Sequence, residues 1–103
     1  MTPREFREKY TDYKPLADKI AESITIRTYV NGNSHDDTRP STDTEKDIIS
    51  KIVYSALLAY GWSDLASIDS ILDMAEFTLH QFLPDANTYD TIYIPMRKLI
   101  GTW

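Results

Sequence analysis

A chain of 103 residues with 16 Asp+Glu, 11 Lys+Arg and no cysteine has room for one core, and it is expected to fold as one domain over 1–103. The absence of cysteine excludes a disulfide scaffold, a thiol nucleophile and thiolate metal sites, and with three glycines neither phosphate-cradling loop pattern is present. No run of about 18 apolar residues is available for a membrane span. The charged, amphipathic opening MTPREFREKY is unlike a secretory leader, so a cytoplasmic location is expected.

The first helix is announced at Thr2. Thr2-Pro3-Arg4-Glu5 is a capping box with proline at the first helical position, and Phe6 and Tyr10 then share a face. Thr11-Asp12 and Pro15 interrupt it. A second helix is predicted from about Pro15 to Glu22, with Leu16, Ala17, Ile20 and Ala21 as its apolar side. From Ile24 to Val30 the residues alternate and are rich in β-branched types, which predicts a strand. Asn31-Gly32 is a hairpin signal. The stretch from Asn33 to Thr42 is polar throughout, however, and reads as a loop. If the 24–30 strand forms, its expected partner is Thr91-Ile92-Tyr93-Ile94, pairing 24–30 with 91–94.

The third predicted helix, about 44–60, has the strongest pattern. Thr42 and Glu45 form a second capping box, and apolar residues run from Ile48 through Tyr60. They cover about half the cylinder, a wider arc than a surface helix needs. Gly61 reads as its stop. Ser63 reads as the cap of a fourth helix, about 64–83, whose seam is Leu65, Ile68, Leu72, Ala75, Leu79 and Phe82. The short link makes helices three and four an antiparallel αα-hairpin. The expected fold class is therefore mainly α: a four-helix compact domain built on that hairpin, with room for a small two-stranded β ribbon.

Charge is segregated along the chain. Residues 1–29 carry a net +1 and residues 30–90 a net −8. Between Lys51 and Arg97 stand six acids and no base, a field that repels phosphate backbones and attracts basic surfaces. A helix–turn–helix reading of 46–82 fails on this ground: its second helix has Asp69, Asp73 and Glu76 and no Lys or Arg. Direct nucleic-acid binding is not expected.

Within the fourth helix, Asp69, Asp73, Glu76 and His80 follow the spacing i, i+4, i+7, i+11 and share roughly a 60° arc beside the seam. A divalent metal is one reading of such a stripe, but a di-metal bundle needs Glu-x-x-His on facing helices, and here the spacing is Glu-x-x-x-His, once. No metal or other cofactor is expected. His35-Asp36-Asp37 contains the His-Asp pair of metal-dependent phosphohydrolases without their further histidines, and Glu5-x-x-Glu8 is only half of a pyrophosphohydrolase acidic signature. No serine stands in a nucleophile motif. The chain is expected not to be an enzyme.

Aromatic residues supply the remaining signal. Phe77 lies nearly opposite the seam, while Tyr89, Tyr93 and Trp103 fall in the tail. Large amphipathic side chains left off a core stripe are what interfaces use as anchors. The expected function is a small acidic protein-binding module of inhibitor, immunity or phage-accessory type. Its partner-binding residues are Asp69, Asp73, Glu76, Phe77, His80, Tyr89, Tyr93 and Trp103, and its partner carries a basic surface. The alternative is a structural subunit of a larger assembly such as a phage particle or helical homo-oligomer, which predicts self-association.

Overall fold

The computed structural model describes residues 2–30, 33–62, 67–88 and 92–100. In chain order these form α1 (Pro3–Lys9), α2 (Lys14–Glu22), β1 (Thr25–Val30), β2 (Asn33–Pro40), α3 (Asp43–Trp62), α4 (Ile68–Phe82) and α5 (Ile94–Ile100). The chain is mainly helical with one small antiparallel sheet. α3 is the hub against which α1, α2 and α4 all pack. No helix among the described residues is long and apolar enough to cross a membrane.

Both predicted capping boxes form. Thr2 Oγ1 accepts from the Glu5 amide at 3.2 Å while Glu5 Oε1 accepts from the Thr2 amide at 3.1 Å, satisfying two otherwise orphaned donors of α1. At α3, Thr42 Oγ1 accepts from the Glu45 amide at 3.2 Å and Glu45 Oε1 accepts from the Thr42 amide at 2.8 Å. The second box is reinforced from β2, where the Arg39 guanidinium forks onto both Glu45 oxygens at 2.7 and 2.9 Å. Arg39 and the Thr42 amide together hold the Glu45 carboxyl at a pKa of about 2.

A measurable pH dependence follows. A carboxyl whose folded-state pKa is depressed stabilises the fold above its unfolded value, and that contribution disappears as pH falls from about 4.5 towards about 2. Because the Arg39 side chain is 44% exposed, solvent screening leaves only ~1–2 kcal/mol of it. Glu45→Gln is therefore expected to lower stability at neutral pH by that amount and to flatten the denaturation profile between pH 4.5 and 2. Parallel profiles for wild type and variant in that window would contradict the pairing.

Four sequence expectations are corrected. The partner of β1 is β2 and not 91–94. The register sets Thr25 opposite Pro40, Ile26 opposite Arg39 and Arg27 opposite Thr38, then resumes after a bulge with Tyr29 opposite Ser34 and Val30 opposite Asn33. The polar 33–42 stretch is thus largely strand; its own propensity is poor, and pairing with β1 across Asn31-Gly32 imposes the conformation. The other edge of β1 is also used, but by residues 85–87: the Arg27 amide donates to the Asp85 carbonyl at 2.8 Å and the Asn87 amide to the Thr25 carbonyl at 2.9 Å. Of 91–94, Thr91 lies outside the described residues, Ile92 and Tyr93 form a π-helical turn, and Ile94 opens α5.

The tail, secondly, contains this fifth helix. Its proline at the second position suits a helix start, and Met96 and Ile100 are fully buried. Thirdly, α4 begins at Ile68, capped by Ser67, whose hydroxyl oxygen accepts from the Ser70 amide at 3.1 Å; the expected start at 64 and the expected cap Ser63 lie outside the described residues. Its seam buries Leu72, Ala75 and Leu79 as expected, while Ile71 replaces Phe82, which is exposed. Fourthly, Gly61 does not stop α3, which runs on to Trp62. Its lack of a Cβ serves a close approach: a Cβ there would stand 3.0 Å from Tyr13 Cζ, and closer still to the hydroxyl oxygen.

Candidate functional site: the outward face of helix four

Packing decides which side of α4 is available. Ile71, Leu72, Ala75 and Leu79 turn inward and are buried. At about 100° per residue, Met74, Phe77, Asp73, His80, Asp69 and Glu76 then follow one another round the rest of the helix in that angular order, Phe77 opposite the buried side and Glu76 close beside it. Met74 is 64% and Phe77 65% exposed. The predicted anchor Phe77 is therefore open to solvent, with Met74 beside it.

The acidic stripe is not uniform. Arg97 of α5 contacts Asp69, its Nη2 meeting Asp69 Oδ1. The Arg97 side chain is only 12% exposed and its guanidinium lies 4.7 Å above the Tyr93 ring, so Asp69 neutralises a cation held against an aromatic face. The Asp69–Arg97 pair thus joins α4 to α5, and Tyr93 backs the Arg97 guanidinium from within its own segment. Among the described residues no basic group forms an ion pair with Asp73 or Glu76; Asp73 is exposed and Glu76 half-buried.

His80 is half-buried, with Nε2 3.3 Å from the Ala86 carbonyl oxygen, a geometry in which the ring nitrogen donates. It ties α4 to the 85–87 segment that lines the edge of β1. Tyr89 and Trp103 lie outside the described residues. Among the described residues no three His, Asp or Glu side chains converge as a metal would require.

A feature the sequence reading missed adjoins Met74. Between α3 and α4 runs a groove of about 430 Å³. Ile52 and Ala56 of α3 and Ile71 and Ala75 of α4 form its floor. Lys51, Ser55 and Ala59 border it on one side, and Ser70, Met74 and Thr78 on the other. The signal for it was present in the third helix: its apolar arc is too wide for the core alone, and Ile52 and Ala59 are the surplus. Lys51, the one charged side chain on the lining among the described residues, is paired with Asp47 at 3.0 Å.

The chain matches no protein-family model, no curated protein and no solved structure.

Proposed function

We propose that the chain is a small, non-enzymatic protein-binding module that docks the outward face of α4 onto a basic surface of a macromolecular partner, in the manner of an inhibitor, immunity or phage-accessory protein. The observation that supports it is the exposure of Phe77 and Met74 side by side, next to Asp73 and Glu76, which have no ion-pair partner among the described residues. Exposed aromatic anchors supply affinity when a partner desolvates them, and flanking charges steer the encounter.

Asp69 is left out of the test, because changing it would free Arg97 and disturb α5. Asp73→Lys with Glu76→Lys is expected to lower capture of the partner from extracts of the producing cells by tenfold or more at low salt, and to invert the salt dependence. Phe77→Ala is expected to lose about tenfold or more by faster dissociation. Undiminished capture by the charge-reversed chain, with its salt dependence intact, would sink the proposal.

The second reading, a structural subunit of a phage particle or helical homo-oligomer, draws on the α3–α4 groove. Apolar surface of this kind fills subunit interfaces as readily as partner sites.

A further inference from the structure

We propose that the slot between α3 and the α1–α2 turn receives a flat, neutral heteroaromatic ring with one N–H donor, of the indole class. The slot shares no residue with the α4 face, so the proposal goes beyond the docking reading above.

Two stretches of chain build the walls. On α3, Tyr54, Leu58 and Trp62 form an i, i+4, i+8 ridge that rises ~12 Å. Arg7, Tyr10 and Asp12 line the side formed by α1 and the turn that follows it. The hollow between them measures about 300 Å³, the small end of the range of about 300–1,000 Å³ that ligand pockets take, which suits a single ring system. The α1 wall is fixed in advance. Phe6 holds the Tyr10 and Tyr13 rings at centroid distances of 5.1 and 5.2 Å. Arg7 Nη1 donates to the Gly61 carbonyl at 2.6 Å, and its guanidinium lies 5.4 Å from the Trp62 ring centroid. Tyr54, in contrast, makes no hydrogen bond or ring contact among the described residues.

Charge selects the occupant, and here the charges are on the lining. A cation meets Arg7, and Lys9 Nζ already stands 5.4 Å from the Tyr10 ring centroid. An anion meets Asp12. A neutral π system is repelled by neither: the guanidinium attracts its face and the Tyr54 and Trp62 rings supply stacking surface. Asp12 then sets the polar requirement. Its Oδ1 accepts from the Lys14 amide at 3.0 Å, and its Oδ2 accepts from no donor among the described residues. A ring N–H placed there makes a charge-assisted hydrogen bond. Indole has one such donor and no acceptor that would face the carboxylate.

The probe is N-acetyl-tryptophanamide, which carries the ring without a net charge. It is compared with its 1-methylindole analogue, in which the donor is gone, and binding is read from the amide and methyl resonances of Asp12, Leu58 and Trp62. Shifts confined to the slot are expected with a Kd of about 1 mM or below. The methylated analogue should bind about fivefold or more weakly, and Asp12→Ala should bind both forms equally weakly. Asp12→Ala also loses the acceptor of the Lys14 amide, so the methylated probe tests the same bond without altering the protein. Tyr54→Ala should weaken binding about fivefold or more, and Tyr54→Phe should restore it. Gly-Gly-Trp-Gly-Gly distinguishes the source of the ring: binding about tenfold tighter than the amide assigns it to a protein segment, and equal or weaker binding assigns it to a small molecule.

No shift at about 10 mM probe would overturn the inference. So would equal binding of the methylated analogue, or tighter binding of ethylguanidinium, which would make the slot a cation site. Asp73→Lys with Glu76→Lys should bind the probe as wild type does, so the slot and the α4 face stand or fall separately.

Discussion

Phe6→Ala is expected to cost ~3–5 kcal/mol of folding free energy, the largest effect of any substitution considered. Phe6 is fully buried and its ring centroid lies 5.1 Å from that of Tyr10, 5.2 Å from Tyr13 and 5.5 Å from Tyr60, the last edge-on. Truncation removes the hinge-pin between α1, the start of α2 and the last turns of α3, leaving a cavity walled by three stiff tyrosine rings that collapse poorly. Domains of this size hold ~5–15 kcal/mol in all, so the loss is a large share of the total. The melting temperature should fall by about 15–30 °C, and Phe6→Leu should recover more than half of that. A loss below ~1 kcal/mol would mean that α1 does not dock as described.

The second large effect is expected at Gly61. Replacing it with valine introduces atoms 3.0 Å from Tyr13 Cζ and 3.2 Å from Cε2, and Tyr13 is itself buried against Phe6. The ring cannot retreat without disturbing that contact. On the other side of the same peptide, Arg7 Nη1 donates to the Gly61 carbonyl at 2.6 Å and the Arg7 guanidinium lies 5.4 Å from the Trp62 ring centroid, so the backbone is held as well. Overpacking of this kind costs ~2–3 kcal/mol, more than the few tenths that valine gains over glycine in helix propensity. The closest atom is the Tyr13 hydroxyl oxygen, which makes the account testable by a cycle. Gly61→Ala should cost about 1 kcal/mol less in a Tyr13→Phe background than in wild type. Additive effects would show that the two residues do not meet.

These contacts show which parts of the fold could be read from sequence. Local rules performed well wherever side chain and backbone act within one turn. Thr2 with Glu5 and Thr42 with Glu45 close their capping boxes as their spacing implies. The β2 strand was illegible because Asn33, Ser34 and Asp36 have no strand preference of their own; what makes them a strand is the free edge of β1. The helix at 94–100 is short, and its apolar residues Met96 and Ile100 show their purpose only once a core exists to receive them. Gly61 illustrates a sound signal with a different cause, since a glycine at a helix end is read as a stop whereas here it makes room for Tyr13.

The candidate site was legible in part. Spacing placed Phe77 nearly opposite the seam of α4 and the acidic stripe beside it, and Phe77 and Asp73 are exposed while Glu76 is half-buried. It could not foresee that Asp69 meets Arg97, 28 residues later, or that His80 leans to the Ala86 carbonyl, as both are tertiary events. The groove needs two helices to exist at all, and the surplus width of the α3 apolar arc was its one trace in the sequence.

The central claim, that this face awaits a different protein, is tested most directly by absolute mass from light scattering behind a sizing column. Wild type and a Met74→Ser, Phe77→Ser double variant would be compared at low and at moderate salt. The account predicts a monomer near 11.9 kDa for both chains at both salts, with the face open. A discrete, salt-resistant oligomer of the wild type that the double variant dissolves would contradict it, and would make the same face an interface between copies of the chain.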